Sequence, residues 1–286
     1  MTMPISDFNK ISPTALLVAY ARQFSDIPYA KEIAELTNAE ATVNQFVSQT
    51  EEQPIGIAAL IEARYKAIEQ VRTRFDATQI LELASGLLPR GTILSQDPAI
   101  AFVESDLPEM IRQKQHLVQQ LVGKRANLHF LEIDATSNLN SQLLSDYFKP
   151  SKPVTILCEG LLMYLTFAEK QKVFANVRDI LQTYGGVWIT PDFTTKIGAE
   201  KMGKLDYAFQ PVRQKIASLT KRSIAENEFD DFEHVKQFVQ EQGFQIEEFN
   251  MLEMLNQLKS VLILRIDLAR TQAMLATLPV FALTLA

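Results

Sequence analysis

A chain of 286 residues, 47% hydrophobic and 22% charged, has room for one large α/β domain or two small ones and enough apolar content to exclude wholesale disorder. Its net charge of −6 opposes nucleic-acid binding through phosphate neutralisation. A single cysteine, Cys158, excludes an intramolecular disulfide. Three scattered histidines, His116, His129 and His234, give no zinc pattern, so no metal is expected.

The opening MTMPISDFNK has no basic stretch leading into an apolar core, so no signal peptide is expected and the expected location is the cytoplasm. Residues 14–49 are helical in pattern, with a break near Pro28. Pro54 then opens a further helical stretch, IGIAALIEARYKAIEQVRTRF. Beyond it, short apolar runs alternate with amphipathic segments. The spacing predicts strands over 79–83, 100–104, 128–133, 154–158 and 186–190. Helices such as EMIRQKQHLVQQLVG and TFAEKQKVFANVRDILQTYG lie between them, the second with Thr166 to cap its start and Gly185 to end it. This alternation predicts a mostly parallel sheet with helices on both faces.

After the fifth strand, residues 194–228 read as a polar helical insertion, placed where a lid over the sheet's carboxyl edge forms. Its cations Lys215, Lys221 and Arg222 read as a solvated helix face, with reception of an anionic substrate as the alternative. Strands over 244–249 and 260–266 follow. The terminal AMLATLPVFALTLA is too short to span a bilayer and is interrupted by Pro279, so no membrane span is expected. It reads as a tail packed on the body or on a second copy of the chain, which leaves a homodimer open.

The chemistry centres on ILELASGLLPRG, residues 80–91. A dinucleotide loop needs G-x-G-x-x-G after its strand. Here those positions hold Ala84, Gly86 and Pro89, which counts against a nicotinamide oxidoreductase. A related loop, E-x-G-x-G-x-G, finds Glu82, Ala84, Gly86 and Leu88, so the acid and the central glycine fit. A buried strand followed by a turn is the alternative. About 20 residues on, AFVESDLPEMIRQK ends a strand in acids, where a ribose-binding carboxylate is expected. Period-two alternation puts Glu104 and Asp106 on one side. Both acids can instead be solvated, or bias the next helix's N-terminus. Asp134 ends the third strand and can accept from an adenine amino group, or merely cap a turn. Glu159 follows the fourth strand, where a charge meets the cleft. Cys158 beside it points the other way and reads as a buried filler. There is no G-x-S-x-G elbow for hydrolysis.

With CEGLLMYL the chain resembles the leucine carboxyl methyltransferase-like group of class I S-adenosylmethionine-dependent methyltransferases. The matching pieces, in order, are ISPTALLVAYARQF, IEARYKAIEQ, ILELASGLLPRG, FVESDLPEMIRQK, FLEIDAT, CEGLLMYL, WITPDF and GFQIEEF. The resemblance implies a Rossmann-like, seven-stranded, mostly parallel sheet in a single domain over 1–286. It carries an N-terminal helical cap over 1–75 and the lid over 194–228. It implies S-adenosyl-L-methionine as cofactor and S-adenosyl-L-homocysteine as product. Arg64 matches the arginine that pairs with the cofactor's methionine carboxylate. Glu82, Ala84 and Gly86 match the strand acid and loop. Asp106 matches the ribose-binding acid, with Glu104 its neighbour. Asp134 and Ala135 match the adenine-side pair, Glu159 the acid at the methionine end, and Tyr164 the tyrosine on the acceptor side.

Three positions depart from the family pattern. ASG replaces GAG in the loop, Leu88, Pro89 and Arg90 stand where Asp-Thr-Arg is usual, and Leu16 or Leu17 stands where the eukaryotic members have a lysine. The expected activity is methyl transfer to a carboxylate or hydroxyl of a small-molecule acceptor, with Tyr164 and Asp192 as the nearest base or positioning groups. For Asp192 a helix-capping role is the alternative, for Tyr164 a core aromatic with a wet hydroxyl. The competing expectation for the chain is a protein of the same fold that binds without turnover.

Overall fold

The computed structural model describes residues 13–47, 57–137, 139–205, 209–220 and 222–286. Pro54 and Lys221 therefore lie outside the described residues. In chain order the helices α1 (Pro13–Arg22), α2 (Ala30–Leu36), α3 (Ala39–Val47) and α4 (Ala58–Arg72) precede β1 (Gln79–Leu83). Then come α5 (Arg90–Leu94), β2 (Ala101–Asp106), α6 (Pro108–Val122), β3 (Leu128–Glu132), β4 (Val154–Cys158), α7 (Phe167–Tyr184) and β5 (Gly186–Thr190). The chain finishes with α8 (Lys196–Leu205), α9 (Phe209–Thr220), α10 (Phe232–Glu241), β6 (Phe244–Asn250), α11 (Lys259–Leu264), α12 (Leu268–Leu275) and β7 (Pro279–Leu285).

The seven strands form one sheet in the order β3-β2-β1-β4-β5-β7-β6. The first five are mutually parallel, and β7 runs antiparallel to both β5 and β6. Helices cover both faces, so β1 and β4 are buried at every residue, the polar Gln79, Glu82 and Thr155 among them. Alternation splits each strand between two cores. Leu81, Ile156 and Trp188 face α7, while Ile80, Leu157 and Ile189 face α4. On the α7 side Phe174, Trp188 and Phe244 meet edge to face with centroids 4.7–6.1 Å apart. Each such pair adds about 0.5–1.5 kcal/mol beyond burial. Thr166 and Glu169 close a reciprocal capping box on α7, and Gly185, at φ 69°, ends it.

Two expectations at the C-terminus are corrected. Residues 260–266 are not a strand: α11 occupies that stretch. A short apolar run such as SVLILRI fits either state, and the outcome is set from far away in sequence. The buried Glu62 of α4 accepts from the Lys259 amide at 3.0 Å and the Ser260 amide at 2.8 Å, capping α11. The tail is not an appendage. Its Pro279–Leu285 segment is β7, inserted between β5 and β6 and buried over its first five residues. Pro279 sits at the strand's first residue, where its missing N–H is tolerated.

The strand order reverses between β1 and β4. In open α/β sheets the crevice outside the carboxyl ends of the strands at that reversal is where ligands bind.

Candidate functional site

At the β2 side of the crevice, β1 runs into a turn in which Ala84 adopts φ 52° and Gly86 φ 47°. The left-handed conformation suits glycine and costs an alanine about 1–2 kcal/mol, yet Ala84 takes it. Asp106, at the end of β2, holds the turn: Gly86 N–H donates to its Oδ2 at 2.8 Å and Leu107 N–H to its Oδ1 at 2.7 Å. Burial pushes the Asp106 carboxyl up from its ordinary value, and the two amides pull against that. A methyl added at Gly86 would meet only the Ala84 carbonyl, at 3.9 Å, so the outer side of the loop is open to a ligand.

Glu82 and Glu104 lie beneath this loop, fully buried and opposite each other in the β1–β2 register. Each has its own cation. Arg90 pairs with Glu82, and Lys114 of α6 reaches Glu104 Oε2 at 2.6 Å. Burial drives the Glu104 carboxyl up to about 7, with Lys114 opposing. Glu82 is likewise raised by burial, with Arg90 opposing. Gly91 leaves the space that Glu104 fills, since a methyl there would overlap the carboxylate. These two acids act on the crevice only from below.

On the β4 side the charges are arranged differently. Glu159, buried just past β4, faces three guanidiniums: Arg64 Nε at 3.0 Å, Arg90 Nη2 at 3.2 Å and Arg22 Nη2 at 3.6 Å. Burial alone would raise its carboxyl, but the arginines outweigh that and hold it below the ordinary range. Arg90 also reaches Glu69 at 2.6 Å and stacks over the Tyr65 ring at 4.5 Å. Arg64 is partly exposed, and its contact with Glu159 runs through Nε, not through its terminal nitrogens.

Asp192, just past β5, is buried. Its carboxylate accepts from the amides of Gly160 at 2.8 Å, Leu161 at 2.6 Å and Leu162 at 3.0 Å. It thereby clasps the turn leading to Tyr164. Tyr164 is half-buried, and its phenol is raised by burial and hydrogen-bonded to Thr14 of α1. Asp134 is exposed and caps its own turn, accepting from Thr136 N–H at 2.9 Å and from the Thr136 hydroxyl at 2.7 Å. Ala135 beside it is buried.

Arg64, Gly86, Asp106 and Glu159 thus come together at the switch point, with Tyr164 and Asp192 beside β4 and β5. Arg22, Arg90 and Lys170 were not singled out from sequence. Lys170 of α7 is fully buried and donates to the carbonyls of Leu165 at 2.6 Å and Asn227 at 2.7 Å. Burial holds its ammonium down at about 8. Cys158 is buried, as expected. Of the cations in 194–228, Arg222 pairs with Glu169 at 2.9 Å, and Lys215 lies in α9. Among the described residues no group of three or more His, Cys, Asp or Glu is placed to hold a metal, and no helix is long and apolar enough to cross a membrane.

Residues 13–178, more than half of the chain, match the family model for leucine carboxyl methyltransferases. A protein of Parafrankia sp. (strain EAN1pec) is 28% identical over 119 residues, which is 37% of this chain and 38% of that protein. One from Mycobacterium sp. (strain JLS) is 28% identical over 211 residues, 67% of this chain and 70% of its own. Both carry the name S-adenosyl-L-methionine-dependent methyltransferase, given by inference. The matched region spans well under half of the first relative's length. Among solved structures, the mitomycin 7-O-methyltransferase MmcR aligns with a TM-score of 0.50 at 10% identity, over 98% of this chain and 75% of that one. That likeness shows a shared fold, the Rossmann-like α/β sheet expected from the sequence.

Proposed function

We propose that this chain, which belongs to the leucine carboxyl methyltransferase family, transfers the methyl group of S-adenosyl-L-methionine to an oxygen of a small-molecule acceptor. When bound, the cofactor supplies an electrophilic methyl on a sulfonium. The protein's task is to hold that methyl in line with the acceptor oxygen and close to it.

The reading is carried by one observation. Arg64 and Glu159 meet at 3.0 Å past β4, across the strand reversal from Gly86 and Asp106. These residue types suit the ends of the cofactor. Gly86 lets the backbone approach, and Asp106 offers a carboxylate to the ribose diol. Arg64 offers a forked donor to the methionine carboxylate, and Glu159 a carboxylate to its ammonium. Asp134 and Ala135 stand at the adenine end. Glu82, Ala84 and Glu104 shape and support the loop, with Arg90 and Lys114 neutralising the acids. The helices α8 and α9 make the lid that closes over the acceptor, and Tyr164 lines its side.

Asp192 is raised by burial, but its carboxylate is engaged by three amides, which suits it to positioning the Tyr164 turn more than to taking a proton. An acceptor that arrives already ionised is therefore served best, which favours a carboxylate over a phenol or alcohol. The test is transfer of a labelled methyl into separate pools of small organic acids and of alcohols and phenols. A methyl ester releases methanol in mild base, whereas an ether does not. Base-labile product is expected. Base-stable product would move the reading to a hydroxyl acceptor, and binding without any transfer would leave a non-catalytic member of the fold.

A further inference from the structure

The described part of α1 touches the crevice at both ends. Thr14 bonds the Tyr164 phenol, and eight residues on, Arg22 reaches in beside Glu159. Arg22 is buried to 2% exposure, and its bonding is poor. Nη1 lies 3.5 Å from the Leu87 carbonyl of the loop and Nη2 lies 3.6 Å from Glu159, both at or past the limit of a good hydrogen bond. Among the described residues its buried Nε has no partner. A guanidinium carries five donors, and leaving them unmet in a dry site is costly. A residue kept only to clamp the loop to Glu159 would make shorter bonds than these.

The charges point the same way. Arg90 is matched by Glu82 and Glu69 besides Glu159, which leaves Arg22 and Arg64 to share the one Glu159 carboxylate. Among the described residues Arg22 makes no ion pair besides its 3.6 Å approach to Glu159, a carboxylate that Arg64 and Arg90 approach more closely. Burial brings the Arg22 guanidinium down to about 10, so it stays charged at neutral pH.

Resting on the cofactor reading above, we propose that Arg22 is a second recognition residue for the cofactor's amino-acid carboxylate, acting with Arg64. The N-terminal helix thereby becomes part of the binding site.

The test compares two probes by isothermal titration: S-adenosyl-L-homocysteine, which has the amino-acid tail, and 5′-methylthioadenosine, which lacks it. Arg22→Met is expected to weaken the first about 10- to 100-fold and to leave the second within about twofold. Arg22→Lys should restore part of the loss, because charge returns without the fork. The ratio of the two affinities is the readout, since partial misfolding lowers both equally and leaves the ratio unchanged. An unchanged ratio in both variants overturns the proposal and makes Arg22 structural. If Arg64→Met shifts the ratio while Arg22→Met does not, the cofactor reading survives and this inference alone falls. If the wild type binds neither probe, both fall.

Discussion

The two sides of the strand reversal use the same residue type in opposite ways. On the β2 side Asp106 accepts from two backbone amides and Glu104 pairs with the buried Lys114, yet burial pushes both carboxyls up. On the β4 side Glu159 is just as buried but meets three arginines, and its carboxyl is held down. Burial is common to both, so the number and kind of partners decides which way each group moves. On the proposed cofactor reading, one side would meet the ribose hydroxyls and the other the zwitterionic amino-acid end.

The largest expected effect comes from removing the cation that joins the two sides. Arg90→Met leaves Glu82 without its partner and should cost about 3–5 kcal/mol of stability, read from urea unfolding. Adding Glu82→Gln in that background should recover part of the loss. No change in the unfolding midpoint would mean that Arg90 does not link the two sides.

The contrast should also be visible as a function of pH. Glu104 ionises at about 7 in the folded chain, and an unfolded glutamate near its ordinary value, about 4.3. Between those values the unfolded chain releases its proton first, so stability falls as pH rises through the window and then levels off. Glu104→Gln should lack that fall, so the difference in stability between wild type and variant should shrink as pH rises through the window. Glu159 has the opposite sign: its contribution is present above the ordinary carboxyl range and is lost as pH drops below it. Parallel pH–stability curves for wild type and Glu104→Gln would remove the asymmetry.

Much of this was legible in the sequence, for reasons that also explain what was not. The five parallel strands show because short, mostly apolar runs rich in strand formers stand between turn residues, with the inner β1 and β4 buried throughout. Gly86, Asp106 and Glu159 show because each follows such a run. The seventh strand was misplaced because its position depends on pairing with β5, 95 residues earlier in sequence by the register of Trp188 with Leu283, while Glu62 caps the rival segment as a helix. Arg22 and Arg90 were missed because a lone arginine on a helix usually faces water. A signal was present for each. Ala15, Val18, Ala19 and Arg22 follow the i, i+3, i+4, i+7 spacing of one apolar stripe. Arg90 places a cation in the first turn of α5, against the helix dipole, which calls for a buried partner.

A smaller effect should mark the adenine end. Asp134 is exposed and already satisfied by Thr136, so Asp134→Ala should weaken S-adenosyl-L-homocysteine by only about three- to fivefold in a titration. A loss as large as at Asp106 would make the two ends equivalent. The smallest effect lies in the loop itself. Ala84→Gly relieves a left-handed alanine and should stabilise the chain by up to about 1 kcal/mol, with the gain trimmed by glycine's freedom in the unfolded state. Destabilisation there would mean that the alanine methyl packs usefully.

The most direct measurement is titration of S-adenosyl-L-homocysteine into wild type and Asp106→Ala side by side. Micromolar binding by the wild type, weakened about 100-fold or more in the variant, is the expected result for a working cofactor loop at residues 80–91. Equal affinity in both proteins, or no binding by the wild type at millimolar ligand, would contradict it and reduce that stretch to a strand and a turn.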